Sequence, residues 1–445
     1  MTTILLIMLI LTELGFMVFE LTRKSSKKNW TGRRIIVNVA ELIAFFAMVL
    51  LPGIDTSFRF KGLIAMLIIR IIVSGIFMAA NRKNDKIKKK TPIVLGALLS
   101  IMLIASSLLP AFLFTDYAGR PTTGPYKTLL ANAIMIDPSR IEEFESDGSH
   151  REVPVYFFYP ENASGKMPLV IFSHGAFGYY QSNASMFMEL ASNGYVVAVI
   201  EHPYHSIFTH DSTGKTIIAD RQFLNDSITL GSSDESEAEI YEVITKWMRL
   251  RVADMNFAID SLKAGNTDGW YIDEAQKDGI ANALSLIDTT KIGLIGHSMG
   301  GATAVSCGRR DDISAVVDLD GTMLGEIIGT DGEEAIINDE PYHTPLLNLQ
   351  NQEHHDQAVE AEKTGEIYSN NIVLKNADEA YCTYFANSGH MDFSDLPLFA
   401  PALAGMLGTG TVDNTEMTDS LNGLVLRFFD CYLKGEGSFT VNESY

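Results

Sequence analysis

The stretch KIGLIGHSMGGATAV, Lys291 to Val305, constrains the fold of this chain more than any other. It runs an apolar strand pattern straight into Gly296-His297-Ser298-Met299-Gly300 and then into small residues suited to a helix. A chain passes from strand to helix this abruptly only through a sharp turn. Glycine at 296 and 300 removes the Cβ atoms that would meet the flanking backbone there, and the turn projects the Ser298 hydroxyl outward as a candidate nucleophile. The five-residue pattern alone is weak evidence, so the flanking strand and helix carry the argument.

The rest of the second part of the chain supplies a sheet for that strand. Short apolar runs at 153–159, 169–173, 195–200, 291–296, 313–319, 346–350 and 381–386 read as strands, several of them apolar on both faces. Amphipathic stretches at 184–192, 236–264, 299–309 and 419–433 read as the intervening helices. This order predicts an α/β domain over 116–445 with a mostly parallel, doubly wound sheet. The stretch 211–288 shows one long helix and no clear strand, so part of it is expected to form a cap or insertion. Within it, SSDESEAE (232–239) reads as a solvated acidic helix start.

Residues 1–115 differ in kind. Four apolar runs, about 4–22, 35–52, 62–80 and 92–114, each approach the roughly 20 residues that cross a bilayer, which predicts an all-α, four-helix transmembrane anchor. Lys and Arg cluster in the first connection (Arg23 to Arg34) and the third (Arg82 to Lys90), so both loops are expected on the cytoplasmic side and everything beyond Phe114 outside. Of the chain's 34 basic and 55 acidic residues, this region holds 15 and 5, leaving 19 against 50 for the remainder. A domain that acidic argues against nucleic acid and against adhesion to anionic lipid. Inside the spans, Glu13 and Arg70 fall at similar depth and are expected to pair, with Glu41 as a second candidate partner.

Catalytic groups on such a sheet belong at the carboxyl ends of strands. His390, in NSGHMDF after the last run, is the candidate base for Ser298. The acid has two candidates: Asp320, at the end of ISAVVDLD, and Glu353, beyond LLNLQ. Asp318 is expected to face away and to be structural. The N–H of Met299, opening the helix after the serine, and the N–H of Ala176, after the His174-Gly175 turn, are the candidate oxyanion donors. His202, His205 and His210 form a conceivable metal set, but no acidic metal-binding motif accompanies them. Cys307, Cys382 and Cys431 read as buried small hydrophobes. Neither metal nor cofactor is expected.

TGPYK (123–127), REVPVYFFYP (151–160), FSHGAFG (172–178), GYVVAVIEHPYHS (194–206), GHSMGGAT (296–303), DLDGT (318–322) and SGHMDF (388–393) together resemble, in order and spacing, the bacterial relatives of plasma-type platelet-activating-factor acetylhydrolase. The resemblance spans about 120–433. It implies an α/β-hydrolase fold, a Ser298–Asp320–His390 triad, oxyanion donors at Met299 and Ala176, and metal-free cleavage of short or oxidised acyl groups from phospholipid-like esters. The chain departs from the plasma enzyme in having Met299 after the serine and in carrying four helices in place of a signal peptide.

Two classes of function follow. One is a membrane-tethered serine ester hydrolase acting outside the cell, with polyester or dienelactone-type hydrolysis as a variant. The other is a catalytically silent α/β-hydrolase fold serving as a sensory or adhesion module.

Overall fold

The computed structural model describes residues 1–230, 236–332 and 334–445. Positions 232–235 of the acidic run lie outside the described residues. The chain divides into two compact units, Met1–Ala118 with Leu398–Leu403, and Gly119–Pro397 with Ala404–Tyr445.

The first unit contains α1 (Thr2–Thr22), α2 (Lys27–Met48), α3 (Phe58–Ala80), α4 (Lys90–Ser107) and the short α5 (Leu109–Leu113). Among the described residues, three helices are long and apolar enough to cross a membrane: α1, α3 and α4. This corrects the expectation of four apolar spans. The second apolar run is the later part of a helix that starts at Lys27, capped by Ser26, and so carries Lys27, Lys28, Arg33 and Arg34 in its first turns as well as Glu41.

These charges pair inside the unit. Arg34 forks onto Glu13 at 2.7 and 2.8 Å and reaches Ser100 at 2.7 Å. Arg70 bonds Glu13 and lies 2.9 Å from Glu41. The expected Glu13–Arg70 pair is present, and Arg34, read from sequence as a loop cation, joins it. Around this centre pack Leu5, Leu9, Phe45, Leu63, Leu67 and Ile104, while Ile4, Ile7, Leu11, Ile72 and Met102 point outward.

The second unit is built on a nine-stranded sheet in the order β13-β12-β9-β8-β3-β4-β2-β1-β7. Its strands are β1 (Thr128–Ile141), β2 (His150–Pro160), β3 (Met167–Ser173), β4 (Val196–Ile200), β7 (Trp270–Tyr271), β8 (Ile287–His297), β9 (Ala315–Leu319), β12 (Leu346–Gln350) and β13 (Ala380–Tyr384). Two small hairpins stand apart, β5 (Phe208–His210) with β6 (Thr216–Ile218), and β10 (Ile327–Thr330) with β11 (Ala335–Ile337). Strands β13 through β4 in that order are parallel, whereas β2, β1 and β7 pair antiparallel.

Side chains alternate between two cores. Leu169 and Ile171 of β3 enter one with Met255, Ala258 and Ile259; Val170 and Phe172 enter the other with Phe187, Leu424 and Phe428. Helices therefore cover both faces: α8 (Glu237–Ala264), α9 (Lys277–Leu286) and α10 (Met299–Cys307) on the first, α6 (Ala184–Ser192) and the helix Asn414–Phe429 on the second. The strand sequence departs in opposite directions from β3 and β8, so the topological switch point lies between them, which is where such sheets place ligands.

The 211–288 stretch is less uniform than its sequence suggests. It contributes β6 and the edge strand β7, contrary to the reading of no strand, as well as α7 (Arg221–Thr229). The last turns of α8 and all of α9 belong to the sheet-covering layer. Of the cysteines, Cys307 is buried, Cys431 is half-buried and Cys382 is exposed, which corrects the expectation that all three are buried.

Candidate active site

At the carboxyl end of β8 the backbone makes the sharp turn the sequence requires, with Ser298 at φ 57°, ψ −127°. Non-glycine residues adopt such a conformation at a cost, and it persists only when the surroundings over-determine it. Here they do: a Cβ on Gly296 would fall 2.1 Å from the Gly300 carbonyl oxygen, and one on Gly300 would fall 2.0 Å from that of Ser173. The Ser298 N–H is spent on Leu319 O at 2.9 Å, tying the turn to β9.

Asp320 follows β9 directly and is itself at φ 55°. That backbone is what separates Asp320 from Asp318. Residues two apart on a strand share a face, but the strand ends at Leu319 and the left-handed residue redirects the second carboxylate. Asp318 stays beneath α10, accepting from Gly321 N at 3.0 Å and Asn348 Nδ2 at 2.9 Å. Complete burial, with Asp320 close by, pushes its carboxyl well above the ordinary range, and its partners are structural.

Asp320 remains ionised. Burial pushes its carboxyl upward, but hydrogen bonds from His354 and His390 outweigh that and hold it below the usual carboxylate range. His390 Nδ1 lies 2.7 Å from Oδ2 and His354 Nδ1 lies 2.9 Å from Oδ1. Asn351 completes the set, its backbone N–H 2.7 Å from Oδ1 and its side-chain amide 2.8 Å from Oδ2. Of the two acid candidates, the structure brings Asp320 to His390. Glu353 is exposed on the helix Gln352–Thr364, where it accepts from Gln357 at 3.3 Å.

His390 is 33 % exposed at its side chain, open enough to meet a substrate. His297 braces it from behind, its Nε2 3.1 Å from the His390 carbonyl oxygen. Burial pulls the His297 imidazole down to about 3, so the ring is neutral and donates that hydrogen bond.

The other wall comes from β3. A Cβ on Gly175 would fall 3.2 Å from Ser298 Cβ, so the His174-Gly175 turn lies directly against the nucleophile and needs glycine there. Ala176 and Met299 pack into one apolar cluster with Phe223, Ile244, Trp247 and Met248. Neither of their N–H groups has a backbone acceptor among the described residues. α7 contributes Phe223 and the first half of α8 contributes Ile244, Trp247 and Met248 to this cluster.

Behind the turn is a buried polar network that the sequence reading missed apart from noting its histidines. His202 bridges Ser173 Oγ (2.8 Å) and Asp254 Oδ2 (2.9 Å), and Asp254 also receives Arg151 at 2.7 Å and Arg140 at 2.9 Å. His174 Nε2 meets Ser206 Oγ at 2.8 Å. His202 and His205 thus have structural partners, and His210 is exposed. Among the described residues, the grouping of metal-type side chains is Asp320, His354 and His390, which is the candidate catalytic cluster itself. A cleft of about 730 Å³ is lined by Lys166, Leu262 and Ile287, at the opposite, amino-terminal ends of β3 and β8.

A family model described as platelet-activating factor acetylhydrolase, isoform II, matches residues 144–443, two thirds of the chain. The chain belongs to that family. The platelet-activating factor acetylhydrolase of Cavia porcellus is 23 % identical over 310 residues, 65 % of this chain and 62 % of the relative. A probable 1-alkyl-2-acetylglycerophosphocholine esterase of Arthroderma benhamiae is 27 % identical over 198 residues, 44 % of this chain and 38 % of the relative. The chain spans about three fifths of the length of the acetylhydrolases it matches. A ferulic acid esterase from Streptomyces cinnamoneus superposes with a TM-score of 0.51 at 20 % identity, covering 72 % of this chain and 93 % of that one, which shows the shared α/β-hydrolase fold.

Proposed function

We propose that the chain is a membrane-tethered serine ester hydrolase that cleaves short-acyl, phospholipid-like esters through an acyl-enzyme on Ser298. The observation that carries this reading is the ionised, buried Asp320 holding His390 Nδ1 at 2.7 Å beside a strained serine turn. His390 Nε2 takes the proton as Ser298 Oγ attacks the ester carbonyl, and Asp320 stabilises the imidazolium so formed. The N–H groups of Ala176 and Met299 receive the developing oxyanion, an arrangement generally worth several kcal/mol in the transition state. Collapse expels the alcohol with the proton from His390; water then repeats the sequence on the acyl-serine.

Short acyl groups are favoured by the apolar cluster that holds the side chains of the two donor residues, and by relatives whose names specify acetyl esters. Tethering rests on the apolar helices α1, α3 and α4. We take α2 as a fourth crossing whose charges are paired within the unit; the basic segments 23–28 and 82–90 then share one side, the cytoplasmic one, and the catalytic unit lies on the outer side.

The test uses the full-length chain in detergent, a fluorophosphonate label and p-nitrophenyl esters from acetyl to palmitoyl. Labelling is expected at Ser298 and absent in Ser298→Ala, with acetyl to butyryl esters turned over faster than palmitoyl. A folded protein that never labels is a silent module. Equal or greater kcat/KM on palmitoyl esters would make it a long-chain lipase.

A further inference from the structure

Arg251, near the middle of α8, is completely buried. Its guanidinium donates to His174 O at 2.5 Å, to Gly175 O at 3.2 Å and to His205 Nδ1 at 3.3 Å. All three acceptors are neutral, and among the described residues no carboxylate is hydrogen-bonded or ion-paired to it. Its neighbour Arg151 shows the usual solution, taking Asp254 and Glu142. A buried cation without a direct counter-ion costs several kcal/mol. Protein cores do not carry that cost for packing that a methionine would supply.

The two carbonyls explain its presence. They precede the peptide nitrogen of Ala176, the candidate oxyanion donor on β3's side. A trans peptide is planar, and its N–H points opposite to its C=O. Fixing the direction of Gly175 O therefore fixes the direction of Ala176 N–H, away from Arg251. Gly175 O is held from three directions, by Arg251 Nη2, by His174 Nδ1 at 2.6 Å and by Gly178 N at 3.1 Å. A guanidinium on the carbonyl also polarises the peptide and strengthens its N–H as a donor, an effect that is larger where water is excluded.

We propose that Arg251 is a positioning residue for the oxyanion hole, setting the direction and donor strength of the Ala176 N–H through the carbonyls of His174 and Gly175. This rests on the reading of Ser298 as the nucleophile of an ester hydrolase. It adds a control point on α8, remote in sequence from every residue of the triad.

The experiment compares wild type, Arg251→Lys and Arg251→Met in the full-length chain. Fluorophosphonate titration counts competent Ser298 sites. Rates and affinities are then expressed per titrated site, for p-nitrophenyl butyrate and for a trifluoromethyl ketone, which adds Ser298 Oγ to form a hemiketal oxyanion. In Arg251→Met, kcat per site and ketone affinity should fall together by about 10²-fold, on the scale of losing one oxyanion donor, with KM changed less than about threefold. Arg251→Lys keeps the charge and one carbonyl contact, and should lie between. A residue that only supports folding would lower the number of titratable sites and leave both per-site quantities unchanged; that result overturns the proposal. If both variants fail to fold, His205→Phe serves, because it removes the Nε partner yet retains a ring to stack on Phe223, which lies 3.9 Å from His205. There kcat and ketone affinity should drop in parallel by about threefold to tenfold, and no change overturns the proposal. A wild type that neither labels nor hydrolyses would instead sink the hydrolase reading itself.

Discussion

His354 bonds the carboxylate that orients the candidate base, its Nδ1 2.9 Å from Asp320 Oδ1. Burial opposes charge on the His354 ring, but the hydrogen bond and charge of Asp320 outweigh it and raise its pKa. His354 therefore draws electron density from the carboxylate on which His390 depends. In His354→Gln that competition weakens, more negative charge remains on Oδ2, and the imidazolium of His390 is better stabilised. The acid limb of kcat/KM should move to higher pH, with kcat changed by less than about tenfold. A limb that stays put or moves down would show that His354 has no electrostatic hold on the base.

Asp320→Asn should lower kcat by about 10³ to 10⁴ with little change in KM, because an amide favours the wrong imidazole tautomer. Glu353→Gln should change kcat by less than about twofold. The converse pattern in steady-state kinetics would transfer the acid's role to Glu353.

A pH dependence follows from His202. Burial pulls its imidazole down to about 4, partly offset by Asp254, against an ordinary value near 6.5. Between those two values the unfolded chain holds one more proton at this site than the folded chain, so its effect is to remove stability as pH falls from about 6.5 to about 4. Glu201 acts in the opposite sense, burial raising its carboxyl to about 7, so stability from this group is lost as pH rises toward that value. A difference measurement separates them. In His202→Gln the slope of unfolding free energy against pH should be shallower across that window by about 1.4 kcal/mol per pH unit, one proton's worth. Equal slopes in chemical denaturation would place the titration elsewhere.

The charges inside the helical unit predict a balance effect. Glu13→Leu leaves Arg34 and Arg70 facing each other with Glu41 alone, and should destabilise the unit in detergent by about 3 kcal/mol or more. Glu13→Leu combined with Arg34→Leu restores neutrality and should recover most of the loss. If the double variant is no more stable than the single, the cluster is held by geometry and not by charge.

Orientation is checked with single cysteines at the exposed positions Lys24, Thr56 and Asn266, in a background lacking Cys307, Cys382 and Cys431. An impermeant maleimide on intact cells should label the last two and spare the first. Labelling at position 24 alone would put the catalytic unit in the cytoplasm.

The approach of His390 to Asp320 is legible in the sequence because each residue follows a continuous apolar run, and such runs end at one edge of a parallel sheet. The turn at Ser298 is legible for a similar reason: its glycines report a backbone collision. β1 is not. Asn132, Asp137 and Pro138 interrupt its alternation, and it becomes a strand through pairing with β2 from Thr128↔Pro160 to Asp137↔Arg151. Nor does periodicity show that α2 begins at Lys27, since the cations of its first turns read as a loop until Glu13 and Ser100 are placed beside Arg34. His354 and Arg251 are tertiary facts: one acts across a strand end, the other through carbonyls that no side-chain pattern records.

α8 runs unbroken for 28 residues, about 42 Å at helical rise. Ile244, Trp247 and Met248 line the apolar cluster near Met299, Arg251 grips the turn before Ala176, and Met255, Ala258 and Ile259 are keyed into the sheet. A rigid rod anchored at one end behaves as a lever with its grip at mid-length. On the proposed function, reshaping the far end to admit a longer acyl chain would also tilt the grip, which would link the choice of substrate mechanically to the speed of turnover.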